Sequence, residues 1–549
     1  MRYTFLLILL FTALVTRADT TICVPPVAGD ATAAMRAAIE EAAAFGGASP
    51  VTICLSPADY HISRRCSTPV ACHISNTASE HENPDPTKHV GLLLRGLRDV
   101  TVDGCGARLV THGEMTAFVI DSCARVTLKN FTLEAADPTV PELTVTETDS
   151  VSVTFRITEP SRFAVTPGGR LRLTGEGWEI GDDAIAQVFY PDRNVTLRCQ
   201  SPLTGYLRAT QVSEHAVRLE YPRAPHVSAG ETYQLRHSIR NEVCGFINRS
   251  LDVRLENLDL NFMGNFGIVG QFSENITYDG LRCCPDSLSR RTCAGFADFL
   301  QLSGCRGLVR IVNSRFEGSQ DDPVNIHGTH LQVLDAERPT RRLTVRYMHP
   351  QTFGFPPCQP GDSIEIVDRG TLMACGSARV DAVEPLDLYR YRLTLDAPLP
   401  DMADVTDFAV ENITWTPEVE IIGNYFGRTP TRGILITTRR RSVIAGNTFH
   451  AIPMPSILVS DDARSWYESG PVRDLTICGN RFIGCASPVI EVKPEVSRDA
   501  GCVHGHIVIT DNIFEGCAVP VTSISGACSV TERDNMVIPG NGEHNQSIR

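Results

Sequence analysis

The chain lacks any long apolar run after its amino-terminal segment, although it has 549 residues. A membrane-spanning helix needs ~20 consecutive apolar residues, so no span is expected in the mature chain. The first segment carries Arg2, an apolar run from Phe5 to Val15 and small residues that end at Ala18. This order is typical of a cleaved signal peptide, which we place at 1–18. We therefore expect a secreted or periplasmic protein.

The chain also lacks an excess of positive charge. It has 50 lysine and arginine residues against 64 aspartate and glutamate residues, which gives a formal charge of -14. The only basic run of note extends from Arg439 to Arg441. Because a negatively charged protein repels polyanions, we do not expect nucleic acid as a partner.

Cysteine pairs with the spacing of a zinc site are absent, although the chain has 19 cysteines. A disulfide or a buried thiol is therefore a better interpretation of the cluster Cys283, Cys284, Cys293 and Cys305 than a metal site. So many cysteines suit an oxidising compartment. Their odd number leaves at least one thiol unpaired or paired between chains, so a homo-oligomer stays open.

One short β-rich phrase recurs along the chain and reaches an asparagine each time. Between Asn424, Asn447, Asn480 and Asn512 the intervals are 23, 33 and 32 residues. Irregular periods of this length predict a parallel β-helix in which the asparagines stack at equivalent corners. Cys485 and Cys517 share one offset from this asparagine and should be neighbours in a ladder or a disulfide. The copies of the phrase are VTLKNFTL (126–133), VRLENLDL (253–260), VRIVNSRF (309–316), VEIIGNYF (419–426), SVIAGNTF (442–449), LTICGNRF (475–482) and IVITDNIF (507–514).

Three segments depart from the repeat. The Ala- and Glu-rich stretch 30–47 predicts a helix that caps the open end of the coils. Alternating runs at 141–240 and 331–412 predict antiparallel strands inserted between coils. The predicted division is a signal peptide at 1–18, a cap helix and first coils at 19–140, an inserted β-barrel-like domain at 141–240, coils with the candidate aspartates at 241–330, a second inserted β-barrel-like domain at 331–412, and carboxy-terminal coils at 413–549.

Three aspartates are the strongest candidates for catalysis. Asp298 precedes the pair Asp321 and Asp322 by 23 residues, which is one coil interval. Residues one coil apart stack, so the three carboxylates can meet, and Pro323 favours the bend that would turn both members of the pair outward. Close carboxylates repel, so one stays protonated while another is ionised. An acid and a base of this kind are what glycoside hydrolysis requires.

Further polar residues follow the aspartates at the same or the next coils. Asn325 and His327 come directly after the aspartate pair, and Arg432, Asp462, Trp466 and Glu468 lie one and two coils further on. A tryptophan can stack on the apolar face of a sugar, while charged side chains bond its hydroxyl groups. We predict that these six residues bind the substrate.

The segments ADFLQLSGCRG, QDDPVNIHGT, RGILITT and DDARSWYESG together resemble glycoside hydrolase family 110 in order and spacing. The resemblance implies an all-β fold, a right-handed parallel β-helix with two inserted small β-barrel or sandwich domains. It also implies inverting hydrolysis of terminal α-1,3-linked galactose, in blood-group-B or linear glycans, without a metal or other cofactor. The family's essential aspartates fall on Asp298, Asp321 and Asp322.

Two alternatives remain at this point. A polygalacturonase-like β-helix hydrolase also has one aspartate followed by a pair, but it normally carries an Arg-x-Lys motif that the carboxy-terminal coils lack. A non-catalytic carbohydrate-binding β-helix would use the aspartates as turn groups, and it would keep binding when one carboxylate is removed.

Overall fold

The computed structural model describes residues 20–499 and 501–540, and most of them form a parallel β-helix. Complete coils carry one strand on each of three faces, and strands of one face pair in parallel from coil to coil. The prediction of a parallel β-helix is confirmed. The predicted signal peptide at 1–18 lies outside the described residues. Within 20–499 and 501–540, no helix has the length and apolar character needed to cross a membrane.

The elements before the first insertion are β1 (Thr20–Val24), α1 (Thr32–Ala44), β2 (Val51–Leu55), β3 (Asp59–Ser63), a 3-10 helix (Arg64–Cys66), β4 (Thr68–Ala71), β5 (Thr87–Arg95), β6 (Arg98–His112), β7 (Thr116–Asp121) and β8 (Ala124–Ala135). The first insertion contains β9 (Glu142–Thr148), β10 (Ser152–Ile157), β11 (Arg162–Val165), β12 (Leu171–Thr174), β13 (Glu179–Ile180), β14 (Ile185–Tyr190), β15 (Val195–Cys199), β16 (Arg208–Ser213), β17 (Ala216–Glu220) and β18 (Thr232–Arg236).

The middle coils contain β19 (Gly245–Asn248), β20 (Leu251–Leu260), β21 (Ile268–Gln271), β22 (Glu274–Asp279), β23 (Arg282–Cys283), β24 (Leu300–Ser303), β25 (Arg306–Val312), β26 (Arg315–Glu317) and β27 (Val324–Glu337). The second insertion adds a 3-10 helix (Arg338–Thr340), β28 (Arg342–Arg346), β29 (Ser363–Asp368), β30 (Ala374–Pro385), β31 (Arg390–Leu395), a 3-10 helix (Val405–Asp407) and β32 (Phe408–Asn412).

The carboxy-terminal coils contain β33 (Glu418–Ile422), β34 (Tyr425–Gly427), β35 (Ile434–Ile436), β36 (Ser442–Ala445), β37 (Thr448–His450), β38 (Ile457–Val459), β39 (Glu468–Ser469), β40 (Asp474–Cys478), β41 (Arg481–Ile483), β42 (Ile490–Val492), β43 (His504–Thr510), β44 (Ile513–Glu515), β45 (Thr522–Ile524), β46 (Ala527–Arg533) and β47 (Met536–Ile538). One face of the β-helix, called the front face below, is formed in order by β5, β7, β19, β21, β24, β27, β35, β38, β42 and β45.

Repetition organises the interior of the carboxy-terminal coils. The predicted asparagine stack is present, because the side-chain amide of Asn447 donates to Asn480 Oδ1 and that of Asn480 donates to Asn512 Oδ1, at 2.9 and 3.0 Å. Phenylalanine rings stack beside it, and the rings of Phe449 and Phe482 are 4.9 Å apart. Each coil therefore supplies hydrogen-bond partners for the buried asparagine amide of a neighbouring coil, and its phenylalanine ring packs against the ring of that coil.

Cys485 and Cys517 also follow the repeat and are free thiols. The Sγ atoms donate to the carbonyl oxygens of Phe449 and Phe482, which are equivalent positions of successive coils. Of the two predicted arrangements, the structure therefore has the ladder.

The helix α1 closes one end of the β-helix. Its buried residues Met35 and Ile39 belong to the same apolar core as the strands of the first coils. Asp30 Oδ1 accepts a hydrogen bond from the Thr32 amide at 2.8 Å, which helps to fix the start of the helix. The predicted helix at 30–47 is therefore present, with a shorter extent.

The first insertion is a seven-stranded antiparallel sheet in the order β15-β14-β18-β9-β10-β17-β16, with a separate sheet of β11, β12 and β13. Residues of both sheets share one apolar core, which contains Phe155 of the larger sheet and Leu173 of the smaller one. The insertion also contacts the β-helix at the candidate aspartates, since Gln187 Nε2 donates to the Gln320 carbonyl at 2.7 Å.

The second insertion is a closed antiparallel barrel of six strands. The pairings run from β27 to β28, β31, β30, β29 and β32, and β32 pairs with β27 again. The strand β27 thus belongs to two structures, because its first residues pair on the front face and its last residues pair in the barrel.

Candidate active site

Asp298, Asp322 and Arg432 occupy equivalent positions in three successive coils of the front face. The register aligns the first residues of β24, β27 and β35, and each polar residue precedes its strand by two positions. Successive positions in a parallel sheet lie ~4.8 Å apart along the stack, so these side chains emerge in one row. The chain leaves the strand conformation at 321–323, as Pro323 predicts, and Asp321 turns toward the same cavity.

This row opens into a cavity of about 580 Å³. The volume lies within the ~300–1,000 Å³ range of small-ligand sites. Outward-facing residues of successive front strands form its floor, and its walls come from Arg198 of the first insertion, from Asn76 and Arg240, and from loops of the later coils. The lining residues are Asn76, Arg198, Arg240, Asp298, Asp321, Asp322, Asn325, Arg432, Leu435, Thr437, Leu458, Ser460, Asp462, Arg464, Ser465, Trp466, Glu468, Glu495, Val496 and Ser497.

Asp298 is a buried carboxyl group that lines this cavity. Burial, followed by the neighbouring carboxylates of Asp321 and Asp322, raises the pKa of Asp298 well above its ordinary value, while Arg240 opposes the shift. A carboxyl group in such surroundings keeps its proton near neutral pH and can donate it.

Asp322 is buried beside Asp298 and is held by Arg432. The Arg432 amide donates to one carboxylate oxygen at 3.0 Å, and the guanidinium donates to the other at 3.2 Å. Burial raises the pKa of Asp322, Arg432 lowers it and Asp321 raises it further. Arg432, predicted as a substrate ligand, thus lines the cavity but already has the carboxylate of Asp322 as its partner.

Asp321 is the most open of the three aspartates, with 22% of its side chain exposed. The guanidinium of Arg198, which belongs to β15 of the first insertion, donates to Asp321 Oδ1 at 3.2 Å. A guanidinium at this distance forms a charge-assisted hydrogen bond with the carboxylate. The three aspartates therefore differ in their surroundings, and an acid and a base can coexist in one cavity.

Asn325 and Glu468, both predicted to bind the substrate, line the cavity, and the Asn325 amide donates to Glu468 Oε1 at 3.2 Å. His327 does not line the cavity. It is buried, its Nδ1 donates to the Gly328 carbonyl at 2.6 Å, and the Gln301 side-chain amide donates to its Nε2 at 3.0 Å. The short strand β39 pairs with β27 at Gly328 and covers this position. His327 therefore supports the cavity wall, and its Nε2 lies 3.6 Å from Glu468 Oε1. The prediction that His327 is a substrate ligand was wrong.

Trp466 projects from a loop between β38 and β39, and 50% of its surface is exposed. One side of its ring stacks on His349 of the second insertion, with centroids 4.7 Å apart. Burial lowers the pKa of His349 to about 4, so this ring is neutral at ordinary pH. Asp462 accepts bonds from the amides of Arg464 and Ser465, at 2.7 and 3.0 Å. Although Asp462 lines the cavity, its carboxylate holds the loop that carries Trp466.

Some residues of the cavity were missed from the sequence. Asn76, Arg198 and Arg240 come from segments far from the aspartates along the chain, and two of them are cations that act on the carboxylates. Their segments carry no repeat phrase that would give a coil position. The loop 495–497 follows a front strand three coils after the aspartate pair and was also missed.

A cluster of aspartates can also hold a metal ion. Among residues 20–499 and 501–540, no group of three or more His, Cys, Asp or Glu side chains is arranged to hold a metal ion. Guanidinium groups already contact Asp321 and Asp322, which leaves these carboxylates paired with cations of the protein itself. The expectation of a site without metal or other cofactor stays a prediction.

Comparisons with known proteins now bear on this site. The model of the GLAA-B beta-barrel domain II matches residues 342–408, which lie in the six-stranded barrel. The chain is 44% identical over 483 residues to alpha-1,3-galactosidase A of Bacteroides thetaiotaomicron, covering 87% of this chain and 84% of that one. It is 38% identical over 511 residues to alpha-1,3-galactosidase A of Streptomyces avermitilis, covering 88% and 81%.

The chain belongs to the α-1,3-galactosidase family, glycoside hydrolase family 110. The family resemblance and the prediction of a glycoside hydrolase are thus confirmed. Among solved structures, the chain is similar to a family 28 exopolygalacturonase of Yersinia enterocolitica, with a TM-score of 0.40 at 9% identity, covering 96% of this chain and 76% of that one. It is also similar to PfbA, a surface adhesin of Streptococcus pneumoniae, with a TM-score of 0.41 at 10% identity, covering 93% and 89%. Neither likeness carries an argument about function.

Proposed function

We propose that this protein hydrolyses terminal α-1,3-linked galactose from oligosaccharides or glycoconjugates, blood-group-B and linear ends included, with inversion of configuration. The observation that carries the proposal is the group of three aspartates in a sugar-sized cavity, two of them buried, with the pKa of Asp298 raised by burial and by the neighbouring carboxylates. The names of the relatives support galactose as the released sugar. They also favour this function over the polygalacturonase-like hydrolase and the carbohydrate-binding β-helix.

Asp298 is the general acid in this proposal. Burial and two neighbouring carboxylates raise its pKa, so it holds a proton at the pH at which Asp321 is paired with Arg198. The proton passes from Asp298 to the glycosidic oxygen as the bond to the galactose carbon breaks. Charge develops on the sugar ring in this step, and the carboxylates of the pair stabilise it.

Asp321 is the general base. Asp298 and Asp322 stand one strand spacing apart, about 4.8 Å along the stack, whereas inverting enzymes separate the two carboxyl groups by about 6.5–9.5 Å to admit water. Asp321 lies outside the row, and its side chain is partly exposed toward Arg198. As the most exposed of the three, it is the carboxylate that activates water in the proposal, and Asp322 keeps Arg432 and the backbone in place.

The remaining cavity residues bind the sugars of the substrate in the proposal. The half-exposed ring of Trp466 offers an apolar surface for stacking, and Glu468 and Asn325 offer hydrogen bonds to hydroxyl groups. The chain is expected to act on free or protein-linked glycans after export, in accordance with the predicted signal peptide. A homo-oligomer is compatible with this function but is not required by it.

The test is the anomer of the released sugar. The secreted protein is incubated with galactosyl-α-1,3-galactose and with the B-type trisaccharide, and the galactose is followed by proton NMR. We expect β-galactose to form first from at least one substrate, because water attacks from the face opposite to the leaving group. Initial α-galactose would contradict the inversion, and no release from either glycan would contradict the proposed function.

Two variants separate the acid from the base. Asp298→Asn should lose far more activity on the disaccharide than on α-galactosyl fluoride, because fluoride leaves without protonation by an acid. Asp321→Asn should lose activity on both substrates, since both reactions need the activated water. Asp474→Asn is the matched control, because Asp474 is an exposed aspartate of β40 outside the cavity. The opposite pattern in the two variants would exchange the assigned roles.

A further inference from the structure

The cavity is longer than a terminal galactose requires. The aspartate pair precedes β27, whereas the loop 495–497 follows β42, which lies three strands further along the front face. Three strand spacings amount to about 14 Å along the stack. The two sets of residues also lie at opposite ends of their strands, so the cavity crosses the front face diagonally. The loop 495–497 is therefore too far from the aspartates to contact the sugar that is cleaved.

Two loops form this distant rim of the cavity. The loop 464–466 presents Arg464, Ser465 and the exposed ring of Trp466, and the loop 495–497 presents Glu495 and Ser497. All five side chains are exposed, and the arginine, the two serines and the glutamate offer polar groups for hydrogen bonds. Such groups suit the hydroxyls of a second sugar, with the tryptophan between the two sugars.

Both rim loops are tied to one turn of the inserted barrel, the residues 368–371. Arg369 Nε donates to the Ala463 carbonyl at 2.9 Å, and Arg369 Nη2 donates to the Tyr467 hydroxyl at 2.7 Å. Arg464 Nε donates in return to the Arg369 carbonyl at 3.2 Å. The turn thus holds the first rim loop on both sides of Trp466.

The same turn also holds the second rim loop. The amides of Ser497 and Arg498 donate to the Gly370 carbonyl at 2.9 and 3.1 Å. The guanidinium of Arg498 donates to both oxygens of Asp368, at 2.7 and 2.6 Å. A Cβ atom at position 370 would lie 2.4 Å from Arg498 Nε, so glycine allows this close approach.

An apolar cluster also packs where the turn meets the two rim loops. It joins Val367 and Leu372, which flank the turn, to Ala463 of the first rim loop and Val503 beyond the second. The position of the rim is therefore coupled to the barrel through bonds to a buried glycine carbonyl and through apolar contacts.

We propose that residues 464–466 and 495–497 bind the sugar that carries the terminal galactose, and that the turn 368–371 of the barrel positions this subsite. The inference rests on the proposed hydrolysis of galactosides and adds to it the site of the acceptor sugar. The barrel acts as a determinant of substrate choice, although it supplies no group to the bond that breaks. Arg369 is a positioning residue in this arrangement.

The experiment compares a substrate with an acceptor sugar and one without. The variant Arg369→Ala is assayed on galactosyl-α-1,3-galactose, on the B-type trisaccharide and on α-galactosyl fluoride, whose single-atom leaving group cannot reach the rim. We expect kcat/KM on the two glycans to fall by about tenfold, mainly through KM, as is typical of one or two lost hydrogen bonds. The value for α-galactosyl fluoride should change by less than about twofold.

Two further variants complete the test. Glu495→Gln changes the rim directly and should show the same selectivity with the turn intact. Arg379→Ala is the matched control, because Arg379 is an exposed arginine of the same barrel whose guanidinium contacts Gly361, and it should leave all three substrates unchanged. Thermal melting checks that each variant is folded.

The outcomes distinguish the subsite from the function. Suppose that the wild-type protein hydrolyses all three substrates. If Arg369→Ala and Glu495→Gln then lower kcat/KM in equal proportion on all three substrates, or lower it on none, the proposed subsite is wrong while the proposed function stands. If the wild-type protein hydrolyses none of them, the proposed function itself is wrong. Partial retention of glycan selectivity by Arg369→Lys would support a positioning role, because lysine keeps the charge but not the fork of donors.

Discussion

The carboxy-terminal coils and the coils of the aspartate row are built on the same three-faced plan, yet they use their buried polar groups in opposite ways. In the former, every buried amide meets its copy from the next coil, as Asn480 meets Asn447 and Asn512. In the latter, Asp298 is buried beside two further carboxylates, and this burial raises its pKa. A repeat whose buried polar side chains pair with one another stabilises the fold. A repeat that buries neighbouring carboxyl groups costs stability, but it supplies groups with shifted pKa values for catalysis.

The largest effect should come from the aspartate row. Asp298→Asn is expected to lower kcat on the α-1,3-galactosyl disaccharide by about 10²–10⁴-fold, the range typical of a lost general acid. The midpoint of thermal unfolding should not fall, because the folded protein keeps this carboxyl group protonated at a pH at which the unfolded chain ionises it, a cost that asparagine does not carry. Calorimetry and initial rates on the same sample measure both quantities, and a large loss of stability would contradict the comparison.

A substitution in the phenylalanine stack should lower stability and leave activity unchanged, the reverse of the effect expected for Asp298. Phe482 is fully buried between Phe449 and Phe514, at 4.9 Å from each ring. Phe482→Ala should lower the free energy of unfolding by about 3–5 kcal/mol through the cavity it leaves. Activity at a temperature well below the transition should be unchanged. Phe482→Leu, which fills most of the space, should cost much less, and equal losses for the two variants would argue against a packing effect.

The asparagine ladder should give a smaller loss of the same kind. Asn480→Ala removes a side chain that accepts from Asn447 and donates to Asn512, and it takes away the bonds of this side chain to the Asn447 backbone amide and the Ile444 carbonyl. Each unsatisfied group costs about 1–3 kcal/mol, so the free energy of unfolding should fall within or slightly above this range. Asn535, at the end of the ladder and only partly buried, is the control, and Asn535→Ala should cost less in urea unfolding.

The smallest effect concerns the pH profile. Since Asp298 must be protonated to act, kcat/KM should fall as the pH rises through the raised pKa of this group. Arg240 lowers that pKa and Glu468 raises it. Arg240→Gln should therefore move the alkaline limb to higher pH and Glu468→Gln to lower pH, each by roughly half a unit for charges in a partly solvated site. Shifts in the same direction would exclude Asp298 as the titrating acid.

The proximity of the aspartates could be predicted from the sequence, because residues one coil interval apart along the chain lie next to each other in the stacked coils. Asp298 and Asp322 are 24 positions apart, and the register of β24 and β27 places them two residues before equivalent strand positions. The asparagine ladder followed from the same logic. Both predictions depended on repetition along the chain.

The walls of the cavity could not be predicted in this way. Arg198 reaches Asp321 from β15, 123 residues earlier in the chain, and the position of an insertion against the coils has no periodic signal. His327 failed for a related reason. Its place on an outward-facing position was foreseeable, but β39 covers that position through two pairings that no repeat phrase indicates.

The strand β27 has one further consequence. It begins on the front face directly after the aspartate pair and runs without a break into the barrel, to Glu337. A continuous strand contains no linker, so the junction offers no hinge about which the barrel could swing as a lid. We therefore expect the barrel to keep its place against the front face while a glycan enters and leaves the cavity.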